Sequence, residues 1–148
     1  MTIRYRLGND LDLDEVIALY RASTLAERRP MDDLAVAADM LRHANLVVTA
    51  WDGPALVGIA RTFTDFSYVA YLADLAVHAD HQRQGVGIGL IQRTRSALGP
   101  RATIVLLAAP GAAGYYPRIG LTHHDGAWVL RAADPFPAAH PPAGDADG

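Results

Sequence analysis

The chain has 148 residues, 51% of them hydrophobic and 20% charged, with a formal net charge of −3, which suits one globular domain with a substantial core. It has no cysteine, and every one of its 13 Lys-or-Arg positions is Arg; disulfides, thiolate metal sites, a Cys nucleophile, a Lys Schiff base and a P-loop dependent on its Lys are therefore excluded. The slight negative charge argues against a nucleic-acid surface, no apolar run reaches the length of a membrane span, and the opening MTIRYRLGND has no apolar signal core, so a cytoplasmic protein is expected.

Residues 2–7 (TIRYRL) alternate and predict a first strand. Asp10 or Asp12 can cap a helix running to about Ser23, with Leu13, Val16, Ile17, Leu19 and Tyr20 as its apolar face. Pro30 suits the first turn of a second helix that runs to about His43, with Asp32 and Asp33 near its positive end. Residues 46–51 (LVVTAW) and 55–63 (ALVGIARTF) predict a hairpin about Asp52-Gly53, and residues 68–77 a long strand. A helix is predicted over residues 87–98, stopped by Gly99-Pro100. The wholly apolar run 102–110 (ATIVLLAAP) reads as a central strand. A short helix in AAGYYPRIG ends at Gly120, and residues 127–132 (AWVLRA) read as a last strand. Residues 134–148, rich in Pro, Gly and Asp, read as a flexible tail after a domain of residues 1–133. The order β-α-α-β-β-β-α-β-α-β predicts a mixed α/β (α+β) sheet rather than a doubly wound one.

The segment HQRQGVGIG, residues 81–89, lies between an apolar strand and a helix, where glycine-rich turns hold phosphates. A Walker A loop fails for want of a Lys, and GxGxxG fails because Gly85, Gly87 and Gly89 read GxGxG in mid-chain. A plain tight turn with small residues packing a helix is one remaining reading. The other is an anion nest: glycines let successive N–H groups point into one concavity, the helix adds its positive end, and Arg83 adds a charge-assisted contact. Such a nest suits a diphosphate.

The pattern [QR]xxGxG at Gln82, Gly85 and Gly87, followed downstream by Tyr115-Tyr116-Pro117-Arg118-Ile119-Gly120-Leu121, resembles the two signatures of the GNAT superfamily of acyl-CoA-dependent N-acyltransferases. The likeness covers about residues 2–132. It implies a mostly antiparallel sheet, flanked by helices and splayed between the fourth and fifth strands. It also implies acetyl-CoA as co-substrate, with Leu75, Ala76 and Val77 along the pantetheine arm and Gln82, Arg83, Gln84, Gly85, Val86, Gly87 and Ile88 around the diphosphate. Tyr116 matches the family's tyrosine that protonates the leaving thiolate, a role open to a phenol of ordinary pKa about 10. Asp74, the lone acid of YLADLAV, is the candidate general base, since burial raises a carboxylate's pKa; ordering of the neighbouring backbone is the alternative.

The resemblance further implies that Arg28, Arg29 and Tyr71 face the acceptor, the arginines being suited to a carboxylate. One departure stands out: relatives often have an Asn before the Tyr helix, where residues 106–110 here read LLAAP. His123-His124-Asp125 lacks a third cluster to complete a metal site, and no metal is expected. The expected reaction is direct attack, in a ternary complex, by a primary amine of a small molecule. A peptide amine, or a non-catalytic acyl-CoA-binding module, is the alternative. No nucleic-acid or membrane partner is expected. Relatives often form homodimers, for which the apolar run 127–132 would serve.

Overall fold

Five strands form one sheet of order β1-β2-β3-β4-β5, the outer ones alternating and the central ones continuously buried. They are β1 (Ile3–Leu7), β2 (Leu46–Asp52), β3 (Ala55–Thr64), β4 (Val69–Val77) and β5 (Thr103–Val105). Neighbours are antiparallel except the parallel pair β4–β5. The computed structural model describes residues 2–139 and falls into two compact units, Met1–Ala113 and Gly114–Gly148.

In the first unit, helices cover both faces of the sheet. Helices α1 (Leu13–Ala22) and α2 (Leu34–His43) bury Val16, Ile17, Leu19, Tyr20, Ala37 and Leu41 with Val47, Ile59 and Ala76 of the strands. Helix α3 (Val86–Ser96) packs Val86 and Leu90 on Val48, Ala50, Ala60 and Leu72 of the opposite face. Covered on both sides, β2 is buried over six consecutive residues, so it reads as a run rather than an alternation. Its Thr49 hydroxyl accepts a hydrogen bond from Trp51 Nε1 at 2.8 Å, which satisfies two buried polar groups together.

The Asp12 side chain caps α1 by accepting from the N–H of Asp14, and Asp33 caps α2 by accepting from that of Val36; each such cap is worth about 0.5–2 kcal/mol. Pro30 is therefore not in the first turn of α2. Residues 30–33 form a turn that tucks Met31, 4% exposed, into the core, and the helix starts only after it.

The fourth and fifth strands separate. Pairing with β5 covers only Val69, Ala70 and Tyr71 of β4, leaving that edge of the strand without a strand partner from Leu72 to Val77 among the described residues. On its other side β4 carries a bulge: Asp74 pairs with Arg61 and Leu72 with Thr62, so Ala73 is the extra residue.

The apolar run 102–110 is not a central strand. Only Thr103–Val105 pairs, at the sheet edge, because β4 leaves the ladder after Tyr71 and the rest of the run has none to join. Leu107 is 52% exposed.

In the second unit, α4 (Tyr115–Arg118) is a single turn closed by Gly120 at φ +103, with the N–H of Leu121 bonded to the carbonyl of Tyr116 at 3.0 Å. The tyrosine rings of 115 and 116 meet edge to face, 5.2 Å between centroids. The expected last strand over residues 127–132 is not formed: it has no partner ladder among the described residues, and Trp128 is 92% exposed. Most of the expected tail, from residue 140 on, lies outside the described residues.

Candidate active site

After β4 the chain makes one turn of 3-10 helix (Ala79–His81), then the loop that opens α3. Two residues of this loop take left-handed backbone, Arg83 at φ +63 and Gly85 at φ +82. Glycine adopts such a φ freely; for Arg83 it is strained by roughly 1–2 kcal/mol. The reversals leave the N–H groups of Arg83, Gln84, Gly85, Val86, Gly87 and Ile88 with no acceptor among the described residues, the first helical bond of α3 being Gly89 N–H to Gly85 O at 2.9 Å. No acidic residue lies in the first turn of α3, and no side chain caps it. The loop therefore offers unpaired donors beside an uncapped positive helix end, the two features that suit an anion.

Two contacts fix the loop. Gln82 donates from Nε2 to the carbonyl of Val77 at 3.0 Å, tying it to the end of β4. His81 Nε2 lies 3.1 Å from Asp52 Oδ2 at the β2–β3 turn. Leu75, Ala76 and Val77, on the open edge of β4, are thus joined through the Ala79–His81 turn to Gln82, Arg83, Gln84, Gly85, Val86, Gly87 and Ile88. Gly89 does a different job, as the plain-turn reading would have it: Tyr5 packs so closely on its Cα that a Cβ would collide with the ring.

Asp74 lies beneath α1 at the bulge, 2% exposed. One carboxylate oxygen accepts from Arg29 Nε at 2.6 Å. The other accepts from Arg61 Nε and the Tyr20 hydroxyl, each at 2.6 Å. Arg29 Nη2 also donates to the carbonyl of the bulged Ala73 at 3.1 Å, so one side chain holds both residues of the distortion. Burial acts to raise the Asp74 pKa, but the Arg61 charge and hydrogen bond, then the Tyr20 hydroxyl and the Arg29 charge, overcome it and hold the carboxyl below the usual carboxylate range. Burial, then the Asp74 charge, drives the Tyr20 hydroxyl far upward, so it stays protonated and donates. The burial-raised base expected at Asp74 is corrected: the carboxylate is ionised, weakly basic and bonded on both oxygens.

Of the other expected site residues, Arg28 is exposed and makes no ion pair among the described residues. Arg29 spends its Nε on Asp74, and Tyr71 is 40% exposed on the same face of β4 as Asp74. Tyr116 belongs to the second unit; burial, and next the neighbouring Tyr115, raise its pKa, which keeps the phenol protonated at neutral pH. Sequence reasoning missed Tyr20 and Arg61 as partners of Asp74 and the left-handed backbone of Arg83, a residue it had placed at the anion loop. A signal existed for one of them: Arg61 is the lone cation of ALVGIARTF, as Asp74 is the lone acid of YLADLAV.

The fold matches solved acetyltransferases. An aminoglycoside N-acetyltransferase in complex with CoA aligns with TM-score 0.68 at 18% identity, over 90% of this chain and 96% of that one. A ribosomal-protein-alanine N-acetyltransferase from Brucella melitensis aligns with TM-score 0.69 at 21% identity, over 88% and 99%. A GNAT-family acetyltransferase from Streptococcus pneumoniae aligns with TM-score 0.64 at 23% identity, also over 88% and 99%. No curated protein sequence matches the chain. The family model for the acetyltransferase (GNAT) domain matches residues 23–129. That span takes in the 82–88 loop, the Asp74 cluster's strands and the tyrosine turn, and the chain therefore belongs to the GNAT family of acetyl-CoA-using enzymes and is an N-acetyltransferase.

Proposed function

We propose that the protein moves an acetyl group to a primary amine of a small molecule, by direct attack in a ternary complex. The observation that carries the reading is the row of N–H groups from Arg83 to Ile88 that have no acceptor among the described residues, following a β4 edge that no strand covers among them. These donors, with no carboxylate in the first turn of α3 to compete, fit the diphosphate of coenzyme A. Acetyl-CoA, when bound, supplies an activated acetyl thioester.

The chain's own residues then divide the work. The loop and Arg83 bind and orient the diphosphate. The open backbone of Leu75, Ala76 and Val77 aligns the pantetheine arm, and an N–H of this edge polarises the acyl carbonyl. Tyr116 holds a proton at its hydroxyl for the departing sulfur. Asp74 takes no proton: three donors, two of them guanidinium groups, hold it as the anion, so it is a positioning residue that fixes the bulge. The amine loses its proton to water, and orientation supplies much of the rate. We assign the acetyltransferase domain to residues 1–133.

Calorimetric titration with acetyl-CoA, with ATP and NAD as comparators, tests the reading, followed by an amine panel read by thiol release. Micromolar binding of acetyl-CoA alone, with thiol release dependent on added amine, is the expected result. Binding of ATP or NAD as tight as acetyl-CoA would overturn it.

A further inference from the structure

The cluster under α1 does not balance its charge. Arg29 and Arg61 share the single carboxylate of Asp74, and Tyr20 is neutral, which leaves one positive charge in excess. The surplus is accessible on one side only. The Arg61 side chain is 9% exposed and that of Arg29 is 27% exposed. Arg29 makes one bond from each nitrogen, to Asp74, to the carbonyl of Arg28 and to that of Ala73; a guanidinium has five N–H groups, so one on each terminal nitrogen has no partner among the described residues. The other acids of the α1–α2 connection are spent or turned away: Asp32 pairs with Arg21 at 3.5 Å, Asp33 caps α2, and Glu27 is exposed without an ion pair among the described residues.

Next to this charge, on the same face of the sheet, lies an uncovered aromatic shelf. Side chains of Ile59, Arg61 and Phe63 share one face of β3, and across the bulge Tyr71 is the next residue on the face of Asp74. Phe63 and Tyr71 sit directly opposite each other, 37% and 40% exposed, with the Arg61 guanidinium 5.3 Å from the Phe63 ring centre. Val69, 42% exposed, extends the shelf. The shelf is held rigid at its far end. Asp65 Oδ1 accepts from the N–H groups of Ser67, Tyr68 and Val69, Asn45 bonds both backbone groups of Thr64, and the Gly99 N–H donates to the Phe66 carbonyl at 2.7 Å.

Resting on the acetyltransferase reading above, we propose that this shelf and the Arg29 guanidinium form the acceptor subsite, and that the acceptor is an amine with an apolar or aromatic body and an anionic group, an aromatic amino acid being the simplest example. The anion pairs with the remaining donors of Arg29, and the apolar body lies on Phe63 and Tyr71. A surplus cation beside exposed aromatics suits neither a polycationic acceptor, which it repels, nor a purely apolar one, which would leave the charge unanswered.

The test uses the full-length protein with L-phenylalanine, L-phenylalaninamide, 2-phenylethylamine and L-alanine, read by NMR-detected binding and by thiol release with acetyl-CoA. Phenylalanine should bind at least about tenfold tighter than its amide or the carboxyl-free amine, the worth of one charge-assisted contact. It should also exceed alanine by a similar factor. Tyr71→Ala, at an exposed position, should erase the advantage over alanine while the thermal midpoint stays within a few degrees, and Arg29→Ala should erase the advantage over the amide. Equal binding of acid and amide, tighter binding of the amide or the carboxyl-free amine, or no binding of any of the four overturns the subsite. If acetyl-CoA fails to bind while the preference for the acid holds, the acetyltransferase reading falls and the anion subsite stands.

Discussion

Replacing Asp74 by Ala tests whether the buried cluster is a strut. The change removes three contacts of 2.6 Å and leaves Arg61, 7% exposed, and the Tyr20 hydroxyl, 1% exposed, without their acceptor. Breaking a buried pair from one side costs about 3–5 kcal/mol, because the surviving charge stays desolvated. Most of that belongs to Arg61; Arg29, more exposed, turns to water and adds about 1 kcal/mol or less. For a chain of this size the expected fall in Tm is about 10 °C. Urea unfolding followed by tryptophan fluorescence reads the loss. Asp74→Ala combined with Arg61→Met should recover a good part of it, since the orphan charge is gone. A loss under about 1 kcal/mol for the single variant, or a double variant no better than it, would refute the reasoning. The sign with pH follows from the depressed pKa. Asp74 contributes its full stability above its unfolded value, about 3.9, and loses it as pH falls below that toward the folded value. Native protein should therefore lose more stability than Asp74→Ala between pH 5 and about pH 2.

Gly85→Val places a branched side chain at φ +82; it should cost about 1–2 kcal/mol or more in unfolding experiments and weaken acetyl-CoA binding in calorimetry, and unchanged affinity would detach the loop from the cofactor. Gly89→Ala pushes a methyl into the Tyr5 ring; a loss of about 1–3 kcal/mol is expected, largely recovered with Tyr5→Leu, whereas loss of acetyl-CoA affinity without loss of stability would mean that Gly89 belongs to the binding loop instead. Tyr116→Phe keeps the ring and removes the proton; kcat should fall at least about tenfold with acetyl-CoA affinity unchanged, and an unaltered kcat would take the tyrosine out of the reaction.

The pattern of the first ninety residues was legible because each cue was local. A two-residue turn between apolar runs marked the β2–β3 hairpin, Asp12 preceded an amphipathic face, and glycines between a strand and a helix marked the loop before α3. Cues that depend on a partner failed. Residues 102–110 and 127–132 have strand composition, but composition cannot say whether a neighbour offers its ladder, and β4 turns away after Tyr71. Pro30 obeys a helix-start rule that the burial of Met31 overrides. At the candidate site, the loop's place between β4 and α3 was legible because strand, glycines and helix follow one another in the sequence. The role of Asp74 was not, because it is set first by Arg61 across the β3–β4 pair and then by Tyr20 and Arg29, 54 and 45 residues away in sequence. Burial alone would have made the carboxylate a base; its partners make it an anchor.

The composition of that anchor is itself informative. A buried ion pair adds little stability beyond what packed apolar side chains would give, so stability is a poor reason for a carboxylate with two guanidinium groups at the bulge. Two features answer what else it does. It joins α1, the α1–α2 connection, β3 and β4 at the residue after the bulged Ala73, close to where β4 loses its β5 neighbour. It also takes one arginine more than neutrality needs, with the better-exposed of the two on the connection. The second arginine makes sense if the cluster must both fix the strand that opens toward the cofactor and keep a positive charge facing the acceptor. The two tasks then separate by variant: loss of Asp74 should strike folding first, and loss of Arg29 should strike the choice of acceptor.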